Sequence, residues 1–287
     1  MPMKKMKRTS LFILCTVLVC AMLTPMAAAA SPSAVSERYE QISVKLDGQA
    51  VLDGEALLIN SVTYVPVRSF SELMGAQSVS WNQKTSTATV KKGSVTMYFT
   101  SGALYVEANG RYFFTVQKIL NIGGRLYVPV RAIAEAFSTK VGWDAGTRTV
   151  LLSRTGKELV SGSQYYNSDD VYWLSRIINA EAGGESLVGM IAVGNVVLNR
   201  KESKMYPNTV YGVIFDKVGG TQFSPVSMGT IYRTPSSASV IAAKICLEGY
   251  SVDENILFFM NPSISTSNWI SKNRPFAFVI GRHYFYY

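Results

Sequence analysis

Histidine and cysteine are nearly missing from this sequence. Of 287 residues one is histidine, His283, and three are cysteine, Cys15, Cys20 and Cys246. Neither type occurs between residues 31 and 245, which excludes a soft zinc or copper site over most of the chain. Charged residues are sparse at 16%. The apolar run at residues 11–23 is too short for a spanning helix, which needs about 20 residues. It follows Lys4, Lys5, Lys7 and Arg8 and leads to Ala28-Ala29-Ala30, the plan of a secretory signal peptide in residues 1–30. Cleavage there would remove Cys15 and Cys20 and leave Cys246 as the sole thiol. No internal disulfide could then form, and stability must come from buried cores, for which the length allows two domains. Cleavage would also take four positive charges from a net +9. The modest basic surplus that remains suits an anionic envelope polymer. No Lys/Arg cluster points to nucleic acid, and the membrane is met only through the signal peptide before cleavage.

The next stretch is duplicated. Tyr64-Val-Pro-Val-Arg68 recurs as Tyr127-Val-Pro-Val-Arg131. Each copy continues with a short helical stretch, from Ser69 and from Ala132. Each then has a tryptophan strand, Val79-Ser-Trp-Asn82 and Val141-Gly-Trp-Asp144. Alternating β-branched residues and the turns Asp47-Gly48, Asp53-Gly54 and Asn109-Gly110 predict short strands and hairpins. Trp81 and Trp143 are read as core residues of equivalent strands, in preference to sugar-stacking platforms. These repeats resemble the small module named after the N-terminal domain of copper amine oxidases. The resemblance implies tethering, spacing or binding at the cell envelope surface. It does not imply metal, since the stretch has neither His nor Cys. A polar segment bearing Gly and Ser, residues 154–168, reads as a linker.

The last part carries the chemistry. Ser168-Asp169-Asp170 reads as a helix N-cap with an acidic first turn. Leu174, Ile177 and Ile178 keep helical spacing to Ala182, Gly183 stops the helix, and Glu185-Ser186 opens another that runs to Arg200. Gly189 and Gly194 allow close approach of a neighbour. Glu181 then lies at the negative end of one helix dipole, near Glu185 and apolar neighbours, where its proton is hard to remove. A general acid needs that property near neutral pH. On spacing alone an ordinary solvated Glu fits equally well.

Residues 169–287 resemble the catalytic domain of the bacterial cell wall hydrolase family typified by spore cortex-lytic enzymes. The matching pieces occur in order: Ala180-Glu-Ala182 with Gly184-Glu185, Val193-Gly-Asn-Val-Val-Leu-Asn-Arg200, and Tyr206-Pro-Asn-Thr209. Gln222-Phe-Ser-Pro-Val226 with Gly229, Asn261-Pro262 with Trp269, and Gly281-Arg-His-Tyr-Phe285 follow. The resemblance implies peptidoglycan glycan strands as partner and no cofactor or metal. It also implies Glu181 as catalytic acid in a lytic transglycosylase that cuts the bond from muramic acid to glucosamine. Glu185, Gln222, Ser224 and Ser227 are the candidate substrate-binding residues. Glu185 could equally cap a helix, and the others could serve the turn around Pro225. His283 matches a terminal family histidine expected to be hydrogen-bonded within the fold.

One departure stands out. Relatives usually carry an acid where this chain has Met228, which keeps open a catalytically weak or inactive peptidoglycan-binding envelope protein. An amidase or peptidase would want a zinc cluster or a Cys/His pair, for which a single His and one retained Cys are poor material. The expected fold class is α+β: a duplicated β-rich module with short helices (residues 31–153), the linker, and a mainly helical lysozyme-like catalytic domain (169–287). The expected location is outside the cell, in the wall or spore envelope.

Overall fold

The computed structural model describes residues 39–265 and 267–287, and the signal-peptide reading of residues 1–30 lies outside them. The first half runs through β1 (Glu40–Gln41), β2 (Ser43–Leu46), β3 (Gln49–Val51), β4 (Leu57–Ile59) and β5 (Val62–Pro66), then helix α1 (Val67–Leu73). β6 (Ser78–Asn82), β7 (Thr87–Lys92), β8 (Val95–Thr100), β9 (Tyr105–Ala108) and β10 (Arg111–Phe114) follow. β11 (Leu120–Ile122), β12 (Arg125–Pro129), helix α2 (Val130–Ala136), β13 (Thr139–Asp144) and β14 (Thr149–Arg154) complete it.

The repeated pentapeptide forms the centre of a pseudo-symmetric module. β5 and β12 pair antiparallel, with Val128 opposite Val65 and Tyr127 opposite Pro66. Both strands end at their proline, which has no N–H for a ladder. A helix starts at the next residue, two positions earlier than the sequence suggests. Two further sheets have the orders β10-β9-β8-β7-β6 and β13-β14-β2-β3. The copies therefore exchange strands. Hairpin β6–β7 of the first copy joins strands that open the second, and β14 of the second joins β2 of the first in parallel. The hairpins at Asp47-Gly48 and Asn109-Gly110 place both turn residues at positive φ, as tight two-residue hairpins require.

The core expectation for the tryptophans is overturned. Trp81 is 40% and Trp143 51% exposed. Their strands, β6 and β13, are sheet edges. The interior there is filled by Val90 and Val150, with Val79 and Val141 packed against them, and the larger indoles stay outside.

The second half is mainly helical: α3 (Gly162–Tyr165), α4 (Ser168–Ala182), α5 (Leu187–Glu202), α6 (Val210–Phe215), α7 (Ser224–Ser227), a 3-10 turn (Thr230–Tyr232) and α8 (Ser237–Leu247). It closes with β15 (Phe258–Met260), α9 (Trp269–Asn273), β16 (Phe276–Ile280) and β17 (His283–Tyr286), the strands forming one antiparallel sheet. The fold is thus α+β. Helices α4, α5 and α8 pack on one another around Leu174, Ile177, Ile178, Val193, Val197 and Ile245. Gly194 makes this possible, since a Cβ there would lie 2.7 Å from Cys246 Sγ and 2.9 Å from Ile178 Cδ1. Gly189 instead faces Ile280 and its own neighbour Glu185. The face of α5 that bears Asn195, Asn199 and Arg200 acts as a staple. Asn195 bonds Tyr250 O and Val252 N, Asn199 bonds Asp253 O and Ile256 O, and Arg200 bonds Leu257 O. These residues fix the segment between α8 and β15.

The halves are fastened together. Arg111 of β10 makes a two-pronged ion pair with Glu248 after α8, at 2.8 and 2.5 Å, and the two side chains are only 13% and 7% exposed. Tyr166 donates to the same carboxylate, and Lys244 donates to Gly110 O. Phe114 and Tyr250 pack with ring centroids 4.1 Å apart and planes tilted by 34°. The segment read as a linker takes part, through Gly162 N bonded to Asn109 O and Tyr165 under the Arg111 guanidinium.

Candidate active site

Helix α4 positions the central residue. Asn167 caps it by accepting from Asp169 N and Asp170 N, one residue before the cap read from the sequence. Gly183 ends it with φ −59°, a right-handed value and not the left-handed stop common for glycine. Glu181 thus falls in the last turn, on a helix whose Leu174, Ile177 and Ile178 are fully buried. Its carboxyl is pushed up to about 7 by burial. Among the described residues it has no hydrogen bond or ion pair, so its oxygens remain free for a ligand.

Glu185 does not contribute to that shift, contrary to expectation, because burial alone causes it. Nor does Glu185 cap α5. Ser186 does so, with its Oγ accepting from Gly189 N. The Glu185 side chain, 12% exposed, faces the turn between β16 and β17, where Oε2 accepts from Arg282 N. Gly281 sits against it with φ +57°, and a Cβ at that position would overlap Oε2. Gly281→Ala should therefore lose more stability than the roughly 1 kcal/mol of left-handed strain. Gly93→Ala supplies the reference, with φ +56° and open space around it. Equal urea midpoint shifts in the two variants would show that Glu185 yields freely.

His283 follows that turn as the first residue of β17. It is buried, with its pKa lowered by that burial. Among the described residues its Nδ1 has no partner, so the expected hydrogen bond is absent there. The ring packs on Phe259 and Phe285 instead.

The other candidate residues divide. Gln222 is engaged at both ends of its amide, donating to Val218 O and accepting from Arg200. It holds the loop before α7. Ser224 and Ser227 lie on α7, which packs against α4. Both are exposed, and Ser227 Oγ donates to Ser224 O. Met228 is 72% exposed beside Gly229, whose φ is +70°. Cys246 is buried and its thiol pushed up by burial, which makes it a core residue and not a nucleophile.

The sequence reading passed over an aromatic ridge that gathers around Trp173 of the same helix. Trp173 meets Tyr172, Tyr211, Phe215 and Tyr232 edge to face. Tyr211 and Tyr232 are 53% and 61% exposed. Trp173 precedes Glu181 by eight residues, about 12 Å along the axis. The only signal in the sequence was the spacing of single aromatics over three segments far apart in the chain.

Comparison with known proteins gives two matched regions. Residues 184–286 match the family described as Cell Wall Hydrolase, and residues 45–152 match the Copper amine oxidase N-terminal domain. A spore cortex-lytic enzyme of Bacillus cereus is 37% identical over 42% of this chain and 45% of its own length. That of Bacillus subtilis is 35% identical over 42% of this chain and 38% of its own. The chain therefore spans less than half of these relatives. A solved structure, the catalytic domain of the germination-specific lytic transglycosylase SleB from Bacillus anthracis, is 35% identical. It covers 45% of this chain and 100% of that one, with a TM-score of 0.39.

Proposed function

We propose that this chain, which joins a copper amine oxidase N-terminal domain to a cell wall hydrolase domain, cleaves the glycan strands of peptidoglycan outside the cell as a lytic transglycosylase. The observation that carries this reading is Glu181: a mostly buried carboxyl with free oxygens whose pKa is pushed up to about 7. It keeps its proton near neutrality, as a general acid must. Glu185 is tied to the Arg282 amide, which favours a one-carboxylate mechanism over the paired carboxylates of ordinary glycoside hydrolysis.

Glu181 gives its proton to the oxygen joining muramic acid to glucosamine, and that C–O bond breaks. The 6-hydroxyl of the muramic acid closes on the oxocarbenium-like carbon. Its proton returns to Glu181, which is thereby restored. The product carries a 1,6-anhydro ring and no water is consumed. The exposed rings of Tyr211 and Tyr232 suit the apolar faces of the sugars, and Ser224 and Ser227 offer hydroxyls from α7.

Two measurements test the reading together. Mass spectrometry of peptidoglycan digested by the chain is expected to show fragments one water lighter than hydrolytic ones. The rate should fall about tenfold per pH unit above the Glu181 pKa, because the protonated form is the competent one. Hydrolytic fragments would require a second carboxylate. No cleavage at any pH would favour a binding protein disabled at Met228.

A further inference from the structure

The exposed tryptophan of the first repeat borders a cavity of about 240 Å³. Its walls come from both copies: Arg68 and Ser69 at the start of α1, Ser80 and Trp81 on β6, Gly124 in the turn before β12 and Arg125 at the start of that strand. Clefts for drug-sized ligands run to roughly 300–1,000 Å³, so this one admits a single ring and not an oligosaccharide. No carboxylate lines it.

We infer that this cleft binds one pyranose ring of a wall glycan, stacked on Trp81, with an adjacent anionic group on Arg68. Trp81 Nε1 donates to Gln83 Oε1 at 2.8 Å, which fixes the indole and occupies its polar edge, leaving the ring faces for a sugar. The Arg68 side chain is 62% exposed, and its ion pair with Glu72 one turn along α1 is loose at 3.7 Å and itself exposed. Among the described residues its one hydrogen bond, to Val79 O, is long at 3.4 Å. Most of its five donors are therefore free to grip a carboxylate or phosphate. Arg125 is already paired with Glu55 at 2.9 Å and serves as a wall. β6 is a sheet edge, so its outward backbone groups can bond ring hydroxyls. The bidentate tie between Arg111 and Glu248 holds the module that bears this cleft against the helical half. Binding here would thus present glycan to a fixed frame.

The inference rests on the wall as substrate but not on the chemistry of Glu181. Its test uses the full chain carrying Glu181→Gln, sedimented with insoluble peptidoglycan sacculi. The sacculi are used both with their phosphate-bearing glycopolymers attached and after acid stripping. Trp81→Ala and Arg68→Ala should each raise the half-saturating concentration about tenfold, and Trp143→Ala, outside the cavity, should leave it unchanged. Losses that persist on stripped sacculi identify a peptidoglycan carboxylate as the anion. Losses seen only on unstripped sacculi identify the phosphate polymer. Unchanged binding by both cleft variants, or an equal loss in Trp143→Ala, overturns the proposal. Both residues are exposed, so the variants should keep the unmutated melting temperature. Clearing of the sacculi by the Glu181→Gln chain would count against the cleavage reading alone.

Discussion

Glu181→Gln is expected to abolish cleavage and, at alkaline pH, to make the protein more stable. Loss of a general acid typically lowers a rate by about 10²–10⁴-fold, and here the same group is asked to take the proton back. The stability change follows from the same burial. The ordinary value of 4.5 rises to about 7 in the fold. Below pH 4.5 the carboxyl is protonated whether the chain is folded or not, and stability has its full value. As pH rises the unfolded chain ionises first, and the folded state loses ground until Glu181 itself ionises near 7. Above that the loss is constant. At 1.36 kcal/mol per pH unit it amounts to about 3 kcal/mol, reduced to about 2 because the group is partly exposed. Glutamine is neutral throughout, so the variant should unfold at higher urea than the unmutated chain at pH 9 and at nearly the same urea at pH 4. A matched pair of curves at both pH values would mean that Glu181 is solvated and ordinary, and its place in the mechanism would fall. The combination, better folded and inactive, marks a site whose stability is spent on function.

The position of Glu181 in the fold was more legible in the sequence than its surroundings. Local signals suffice to place Glu181: a stretch at helical spacing, a glycine stop, a serine restart. Those rest on backbone preferences within about one turn, and the boundaries came out within one or two residues. The duplication was equally plain, and the pairing of its two pentapeptide strands at Val65 and Val128 accounts for their likeness. The strand exchange between copies was not legible, because β14 meets β2 over a hundred residues away and no local pattern records it. The tryptophans failed for a related reason. A large aromatic in an alternating strand looks like core, but edge position is decided by which strands happen to neighbour it. Gln222 shows the limit for side chains: its type suits a sugar hydroxyl as well as the loop carbonyl and guanidinium that it engages.

Glu248→Ala should be the most damaging change outside the cleft. It would leave the Arg111 guanidinium, 13% exposed, and the Tyr166 hydroxyl without their shared acceptor. Breaking a buried pair from one side costs about 3–5 kcal/mol, because the remaining charge is desolvated and unpaired. The damage falls on the seam between the halves, where Phe114 packs on Tyr250 and Lys244 holds Gly110 O. Calorimetry of the unmutated chain should therefore give one cooperative transition, and that of the variant two, with the β-rich module and the helical half melting apart. The compensated variant Arg111→Met/Glu248→Leu separates charge from contact. Well-packed apolar replacements of a buried pair are often neutral, so a single transition should return. If instead Glu248→Ala melts as one unit at an unchanged temperature, the ion pair contributes nothing to the seam. The packed rings and backbone bonds would then be sufficient to hold the two halves as one body.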